Sequence, residues 1–315
     1  MLGFTEVAAA RDRIAGHVHR TPLLSATRIG DRAGVKLWLK CELLQKTGSF
    51  KVRGALNTMR QLSDDERRRG VVGVSAGNHA QALAWAARAA GTTCTVVMPS
   101  VAVQAKLDAT RGYGATVVQH QWGSAMFDKA RELAEEHGYV FIHPFDDPRV
   151  VAGQGTVGIE ILEDLADADA IVVPVGGGGL LSGIAIAAKH LKPSIRVFGV
   201  EPEGAQALRK SLDAGAVTPI DPPHTIADGL AAPMTTALPL EVAQRYVDDV
   251  VVVSDDEIVD AMRLTLASAK LMAEPAGAAA VAALITRKLP VAAGARVVCV
   301  VSGGNVDAAR LKELL

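Results

Sequence analysis

Short runs of apolar residues, rich in valine and isoleucine, alternate with alanine-rich stretches along this chain. The apolar runs predict strands at residues 35–40, 70–75, 93–98, 115–119, 170–175, 196–201 and 296–301. The stretches 78–90 and 180–190 predict helices. In the run at residues 250–254, Ser254 and Glu257 have the spacing of a capping box, which predicts the start of another helix. Because buried strands that alternate with helices form parallel sheets covered on both faces, we expect an α/β fold with open, twisted, mostly parallel sheets.

The predicted elements fall into two groups, each large enough to form a sheet of its own. One group lies between residues 70 and 146, and the other runs from residue 170 to the last residue. We expect a small domain of residues 61–147 and a large domain of residues 1–60 and 148–315, so that the large domain is discontinuous in sequence. A cleft between the two is the expected place for a ligand.

Composition narrows the class of protein. The chain has 315 residues, of which 49% are hydrophobic, and a formal net charge of -1 from 33 basic and 34 acidic residues. This balance predicts a folded globular enzyme and gives no electrostatic reason to expect nucleic acid or an anionic membrane as a partner. Cys41, Cys94 and Cys299 lack metal-ligand spacing, so we expect reduced thiols in a cytoplasmic protein. The first residues lack the layout of a signal peptide, and the apolar runs are too short to span a bilayer.

Two clusters in the N-terminal half carry candidate chemistry. In TGSFKVRG, residues 47–54, a buried Lys51 could form a Schiff base with an aldehyde cofactor, although most lysines are simply solvated. In SAGNHAQ, residues 75–81, a predicted strand gives way to a helix, whose first N–H groups attract anions such as a carboxylate. The Asn78 amide could bond a phenolic oxygen, but Ser, Gly and Asn are also ordinary helix caps. We expect His79 to be a hydrogen-bonded structural histidine.

Two further clusters follow predicted strands in the C-terminal half. GGGG at residues 176–179 lies between an apolar strand and an apolar helix, where glycines let the backbone wrap around a phosphate. A flexible linker is the alternative, but linkers do not separate a buried strand from an apolar helix. SGGN at residues 302–305 follows the last strand, where a Ser302 hydroxyl could donate to a ring nitrogen, or where the segment is an ordinary Gly-Asn turn.

Six motifs, TGSFKVRGA, SAGNHAQ, GQGTVGIEI, PVGGGGLLSGIA, TIADGL and VSGGN, follow one another along the chain. In this order they resemble the fold-type II pyridoxal-phosphate enzymes, and within these the serine/threonine dehydratases, also called threonine ammonia-lyases. The resemblance covers essentially the whole chain and leaves no segment for the regulatory domain of the biosynthetic branch, so we expect the short catabolic form. It implies a two-lobed architecture similar to the β subunit of tryptophan synthase, pyridoxal 5'-phosphate as cofactor, and a homodimer or homotetramer.

The resemblance also implies a role for each matching residue. Lys51 would hold the cofactor as a Schiff base and move protons, and Phe50 would pack beside the ring. Asn78 would bond the 3-hydroxyl oxygen of the ring, and Ser302 would face its pyridine nitrogen. The phosphate would be cradled by Gly176, Gly177, Gly178, Gly179 and Leu180, and the substrate carboxylate would be received by Ser75, Gly77, Asn78 and His79.

The implied reaction is the dehydration and deamination of L-threonine or L-serine to 2-oxobutyrate or pyruvate plus ammonia by β-elimination. Within the family, a serine racemase or a dehydratase for hydroxyaspartate or another β-hydroxy amino acid stays open. From another class, a nicotinamide-dependent oxidoreductase would use the glycine turn with Glu201 further on, but GGGGLLSG does not match the pattern G-x-G-x-x-G. A binding module that kept the fold without catalysis would not need Lys51.

Three further positions bear on metal binding, and one bears on the choice of reaction. Some members of the family bind a cation through a glutamate, a carbonyl four residues on and an acidic residue two further. Here these positions are Glu201, Ala205 and Ala207, so a carboxylate is missing, and we expect no strong magnesium dependence while a monovalent ion stays open. Serine racemases carry a serine hydroxyl two residues before the cofactor-binding asparagine, where this chain has Ala76. We therefore expect elimination with little racemisation.

Overall fold

A computed structural model describes residues 2–220 and 222–315. Its strands are β1 Leu23–Ser25, β2 Lys36–Lys40, β3 Val71–Val74, β4 Cys94–Pro99, β5 Thr116–His120, β6 Val140–Ile142, β7 Ala170–Pro174, β8 Arg196–Pro202, β9 Asp249–Val253 and β10 Arg296–Val300. Its helices are α1 Phe4–Ile14, α2 Thr27–Ala33, α3 Lys51–Met59, α4 Asp64–Arg69, α5 Asn78–Ala89, α6 Gln104–Gly112, α7 Ser124–His137, α8 Pro148–Asp164, α9 Gly179–Leu191, α10 Ala207–Ala214, α11 Ala237–Tyr246, α12 Asp255–Ala269, α13 Pro275–Ile285 and α14 Ala308–Leu314.

The strands form two sheets. The larger has the order β1-β2-β10-β7-β8-β9, and the smaller has the order β5-β4-β3-β6. Every pairing is parallel except that of β1 with β2. The predicted α/β fold with mostly parallel sheets is therefore confirmed. The domain boundaries at residues 60–61 and 147–148 stay a prediction, although every strand of the smaller sheet lies between Val71 and Ile142.

The apolar runs located the longer strands to within one or two residues at each end. Strands β1 and β6 were not predicted, because a strand of three residues is too short to show a pattern. The predicted capping box is confirmed: Glu257 N–H donates to the Ser254 hydroxyl, and Ser254 N–H donates to the Glu257 carboxylate. In the described part of the chain, no helix combines the length and the apolar character needed to cross a membrane.

Helix α8 packs against α3 and α9, the two helices that begin at the candidate site. A Cβ on Gly153 of α8 would lie 2.6 Å from the Gly54 Cα of α3. On the other side, a Cβ on Gly155 would lie 2.8 Å from the carbonyl oxygen of Gly183 in α9. The glycines of the GQGTVG motif thus let α8 pack backbone to backbone against both helices. This packing fixes the start of α3 relative to the glycine turn before α9.

Candidate active site

Lys51 is the first residue of α3, directly after a β-bridge between Ser49 and Gly303. The Phe50 N–H donates to the Ser302 carbonyl oxygen at 3.1 Å, which joins the first and the fourth sequence clusters. The Lys51 Nζ donates to the Pro144 carbonyl oxygen at 2.9 Å. Burial lowers the pKa of Lys51 to about 8, so its amine is far closer to the neutral, nucleophilic form than that of a solvated lysine.

The glycine turn at residues 176–179 leads from β7 into the 13-residue helix α9. Gly178 has a φ of +98°, and a Cβ there would lie 2.7 Å from the Pro239 Cβ. A Cβ on Gly177 would overlap the Phe145 ring. Among the described residues, the N–H groups of Gly176, Gly177 and Gly178 find no acceptor. Free N–H groups at the start of a long helix suit an anion such as a phosphate.

Asn78, the first residue of α5, is held at both ends of its amide. Its Nδ2 donates to the Glu274 Oε1 at 2.6 Å, and its Oδ1 accepts from the Asn305 Nδ2 at 2.8 Å. The Asn305 Nδ2 also donates to the Thr47 carbonyl oxygen at 2.8 Å. The amide therefore has a fixed orientation, and one of its two Nδ2 hydrogens stays free for a ligand.

Two adjoining cavities contain the predicted site residues. The first, which we call the inner cavity, is lined by all nine residues predicted to contact the cofactor: Phe50, Lys51, Asn78, Gly176, Gly177, Gly178, Gly179, Leu180 and Ser302. The second, the outer cavity, is lined by all four residues predicted to receive the carboxylate: Ser75, Gly77, Asn78 and His79. Lys51, Asn78 and Glu274 line both cavities, so the reactive amine lies where the two meet.

The outer cavity has an apolar wall and one ion pair. Trp122, Met126 and Phe127 form part of the wall beside the smaller sheet. Lys106 of α6 forms an ion pair with Asp228, which precedes the larger sheet's strand β9 in the chain. Both residues of the pair line this cavity, and the pair neutralises the Lys106 charge. The wall was not predicted, because its three residues lie more than 40 positions from the nearest predicted site residue, His79.

His79 is buried, as expected of a structural histidine. Within the described part of the chain, neither ring nitrogen makes a hydrogen bond of ordinary geometry, but the Ile142 backbone lies close enough to act on the pKa of His79 as a hydrogen-bond partner, so the expectation of a hydrogen-bonded histidine stays a prediction. Burial, reinforced by the nearby Lys51 and His143, keeps the pKa of His79 well below its usual range. Burial likewise lowers the pKa of His143 to about 4. Both rings are therefore neutral at physiological pH and cannot supply a positive charge to a carboxylate.

The sequence reasoning missed Glu274, which caps α13 from the motif MAEPAG. This residue is only 3% exposed and contacts Asn78 directly. One signal was available: Glu274 is the single charged residue in the apolar stretch 271–285, directly before a long apolar helix. Such an isolated acid before a buried helix is a candidate for a buried functional carboxyl.

The weak candidates for a metal site are engaged in the protein itself. Both carboxylate oxygens of Glu201 accept backbone N–H groups, from Leu208 and Arg209, at 2.8 Å each. Burial raises the pKa of Glu201 to about 8. Ala205 lies in a short 3-10 turn, and Ala207 begins α10 without a carboxylate to offer. The described residues contain no cluster of three or more His, Cys, Asp or Glu side chains suited to a metal ion.

Comparison with known proteins gives consistent matches over the whole length. A family profile described as "Pyridoxal-phosphate dependent enzyme" matches residues 14–303. The chain is 44% identical to an L-threonine ammonia-lyase of Thermotoga maritima, covering 100% of this chain and 78% of that protein. It is 41% identical to the catabolic L-threonine dehydratase TdcB of Escherichia coli K12, covering 98% and 94%. The solved structure of maize serine racemase superposes with a TM-score of 0.95 at 39% identity, covering 99% and 96%.

Proposed function

We propose that this chain, which belongs to the pyridoxal-phosphate-dependent enzymes, converts L-threonine and L-serine to a 2-oxo acid and ammonia by β-elimination. One observation carries the proposal: the Lys51 amine lies between a cavity with a phosphate cradle and a second cavity fit for an amino acid. The names of the two relatives, an L-threonine ammonia-lyase and an L-threonine dehydratase, support the same reaction.

The inner cavity suits the cofactor. The free N–H groups of the glycine turn can hold the phosphate, and the free Nδ2 hydrogen of Asn78 can hold the ring oxygen. The buried Ser302 hydroxyl makes only a 3.5 Å contact with the Ala276 carbonyl oxygen, so it is available to a ring nitrogen. When bound, the cofactor supplies an aldehyde for the substrate amine and a conjugated ring that draws electrons from the α-carbon.

The chain's own residues position the substrate and move its proton. The loop at residues 75–77 leads into the 12-residue helix α5, and the Ser75 hydroxyl orders it by accepting the Gly77 N–H at 3.0 Å. The start of this helix attracts the substrate carboxylate. Lys51, held near the Pro144 carbonyl and with its pKa lowered to about 8, is the base that takes the α-proton.

Specific features of the outer cavity favour threonine and serine over the other candidates. A racemase needs an acid on the second face of the α-carbon, and the cavity has the methyl group of Ala76 at that loop position. Hydroxyaspartate carries a second carboxylate, which would need an unpaired cation, but Lys106 is already paired with Asp228. The apolar wall of Trp122, Met126 and Phe127 suits the methyl group of threonine.

Initial rates test this proposal directly. We expect purified protein with cofactor to release ammonia and a 2-oxo acid from L-threonine and L-serine, and far less from D-serine and threo-3-hydroxyaspartate. Chiral chromatography of residual serine should show little D-isomer. A rate of D-serine formation that exceeds pyruvate formation would assign a racemase instead, and a preference for hydroxyaspartate would assign that substrate.

We also propose that the enzyme works in the cytoplasm as a homodimer or homotetramer and has no strong magnesium dependence. Cys41, Cys94 and Cys299 are buried and free, which suits a reducing compartment. The single carboxylate at Glu201, with both oxygens engaged, supports the expected lack of a strong magnesium requirement. Light scattering after size-exclusion chromatography measures the oligomer. Loss of most activity in chelator, restored by magnesium, would contradict the metal part.

A further inference from the structure

Glu274 lies in the wall shared by the inner and outer cavities. Its Oε1 accepts the Asn78 Nδ2 hydrogen at 2.6 Å. Its backbone N–H donates to the Gly303 carbonyl oxygen at 3.1 Å, and Pro275 follows it as the first residue of α13. The carboxyl is thus held between the asparagine that faces the cofactor and the space that an amino acid would fill.

The fold makes room for this carboxyl at a cost. A Cβ on Gly303 would overlap the Glu274 Oε1, so a side chain at the second residue of the SGGN motif would displace the carboxyl from its place beside Asn78. Within the described part of the chain, the other oxygen, Oε2, has no hydrogen-bond partner. This oxygen is not among the fully buried polar atoms without a partner, and Glu274 lines both cavities, so a ligand in them can engage it. Asn78 alone would be satisfied by a neutral amide, so its orientation does not explain an acid.

The protonation state of Glu274 suits proton donation. Burial, with a further contribution from the negative charge of Asp228, raises the pKa of Glu274 to about 8. At neutral pH most of this carboxyl is therefore protonated, whereas an exposed glutamate is ionised. A pKa near the working pH is the range in which an acid both holds its proton and gives it up readily.

Other groups around the outer cavity are poorer acids. His79 and His143 are neutral because burial lowers their pKa values. The Lys106 ammonium is engaged by Asp228. Lys51 is assigned to the opposite task of accepting the α-proton.

We propose that Glu274 is the catalytic acid that protonates the departing β-hydroxyl of the substrate, which rests on the function proposed above. Lys51 takes the α-proton, and the electron pair of that C–H bond forms the new bond between the α- and β-carbons. The bond from the β-carbon to oxygen breaks with its electrons on oxygen, and the Glu274 proton converts the leaving group to water. The carboxylate then regains a proton from solvent.

The variant Glu274→Gln separates this role from a structural one. Its side-chain carbonyl can still accept the Asn78 hydrogen, but it has no acidic proton to donate. We compare L-threonine and L-serine with β-chloro-L-alanine, whose chloride leaves without a proton. We expect kcat for the two hydroxy substrates to fall roughly 10²–10³-fold, the contribution typical of a general acid. Initial kcat for β-chloroalanine should stay within about threefold.

Two further measurements guard against a damaged site. The cofactor absorbance and the urea midpoint of Glu274→Gln should match those of the parent protein, and Glu274→Asp should recover part of the threonine activity because it restores an acid.

In the unmodified enzyme, the ratio of threonine to β-chloroalanine rates should fall above about pH 8. The ratio removes the titration of Lys51 common to both substrates, and it leaves Glu274, beside Asp228 and Lys106, as the group that titrates.

Each other result has a definite meaning. Equal losses with hydroxy and chloro substrates in Glu274→Gln would overturn the acid and leave Glu274 as a positioning residue for Asn78. Unchanged rates on both substrates would also overturn it. If the unmodified protein eliminates from β-chloroalanine but releases no ammonia from threonine or serine, the proposed function itself fails, and that failure is visible before any variant is made.

Discussion

Residues Lys51 and Arg53 lie two positions apart on α3, but Arg53 is fully buried whereas Lys51 is only partly buried at the wall of the cavities, and their surroundings are opposite. Arg53 is completely paired: it contacts the Glu42 carboxylate at 2.8 Å and the Glu160 carboxylate at 2.7 Å, and Lys40 shares Glu160 at 2.6 Å. Within the described residues, the Lys51 Nζ donates to the Pro144 carbonyl oxygen and lies 5.2 Å from the centroid of the Phe50 ring, and it has no carboxylate partner. Arg53 keeps its charge because it is paired with carboxylates, whereas Lys51 can change its charge near neutral pH.

The difference shows how one helix serves two purposes. The paired cluster joins β2, α3 and α8 through Lys40, Arg53 and Glu160, so it ties the helix that carries Lys51 to the body of the protein. The unpaired groups, Lys51 and Glu274, face the cavities instead. A buried ionisable group without a counter-ion destabilises the fold. Such groups are concentrated in active sites, where their shifted pKa values serve the reaction.

The largest expected effect comes from removing the unpaired amine. Lys51→Ala should abolish the cofactor's covalent attachment and lower ammonia release by at least about 10⁴-fold, because both the attachment point and the base are lost. Borohydride reduction followed by peptide mapping should find the label on Lys51 in the parent protein. The exposed Lys46, five residues earlier, provides a matched control, since Lys46→Ala should keep both properties. A label on any other lysine would contradict the assignment.

Breaking the paired cluster should damage stability more than any surface pair does. Arg53→Met leaves Glu42 and Glu160 buried with fewer partners, so we expect the free energy of unfolding to fall by about 3–5 kcal/mol. Urea denaturation measures this loss. As a control, Arg20→Ala removes the exposed pairs with Glu163 and Asp164 and should cost less than about 1 kcal/mol. Similar losses in the two variants would mean that burial of the Arg53 cluster does not matter.

Replacing Lys51 with an apolar side chain should raise the free energy of unfolding rather than lower it. Lys51 has a pKa of about 8 in the folded protein against an ordinary 10.5, so the fold disfavours its charged form. Below pH 8 the folded state carries the whole cost, and the cost fades as pH rises from 8 to 10.5. Lys51→Met should therefore stabilise the cofactor-free protein by about 1–3 kcal/mol at pH 7.

The pH dependence provides the check on that prediction. The difference between Lys51→Met and the parent in urea midpoint should shrink between pH 7 and pH 10. The exposed Lys46→Met should show no such difference at either pH. A gain from Lys51→Met that stays constant with pH would point to packing rather than to the buried charge.

The smallest expected effect concerns the choice of reaction at the loop before α5. Ala76→Ser adds a hydroxyl to the outer cavity near the unpaired Lys51, so it should raise the ratio of racemisation to elimination. The gain should be modest, because nothing in the loop is arranged to orient a new hydroxyl. Chiral chromatography of residual serine measures the ratio, with Ala102→Ser outside both cavities as the control. A fall in the ratio would exclude residue 76 as the position from which a proton reaches the second face of the α-carbon.

The sequence by itself determined the longer strands, a few of the helices and most of the inner cavity. Apolar runs gave the longer strands, because a strand buried on both faces must be apolar throughout. The glycine turn between β7 and α9 was equally clear. A run of four glycines between a buried strand and an apolar helix indicates an anion-binding turn rather than a flexible linker. Lys51, Asn78 and Ser302 stood in short motifs whose order indicated one family, so their meeting in one cavity could be expected from sequence.

Tertiary structure alone decided what surrounds those residues. The GQGTVG glycines are needed where α8 touches α3 and α9, and only the packed helices show this. Glu274 gains its raised pKa from burial and from Asp228, and Asn78 gains its orientation from Glu274 and Asn305. The pKa of Glu274 depends on desolvation by the folded chain. The orientation of Asn78 depends on hydrogen bonds to residues 196 and 227 positions away in the chain. Local sequence fixes which group is present, whereas its charge and direction are set by neighbours that only the folded chain brings together.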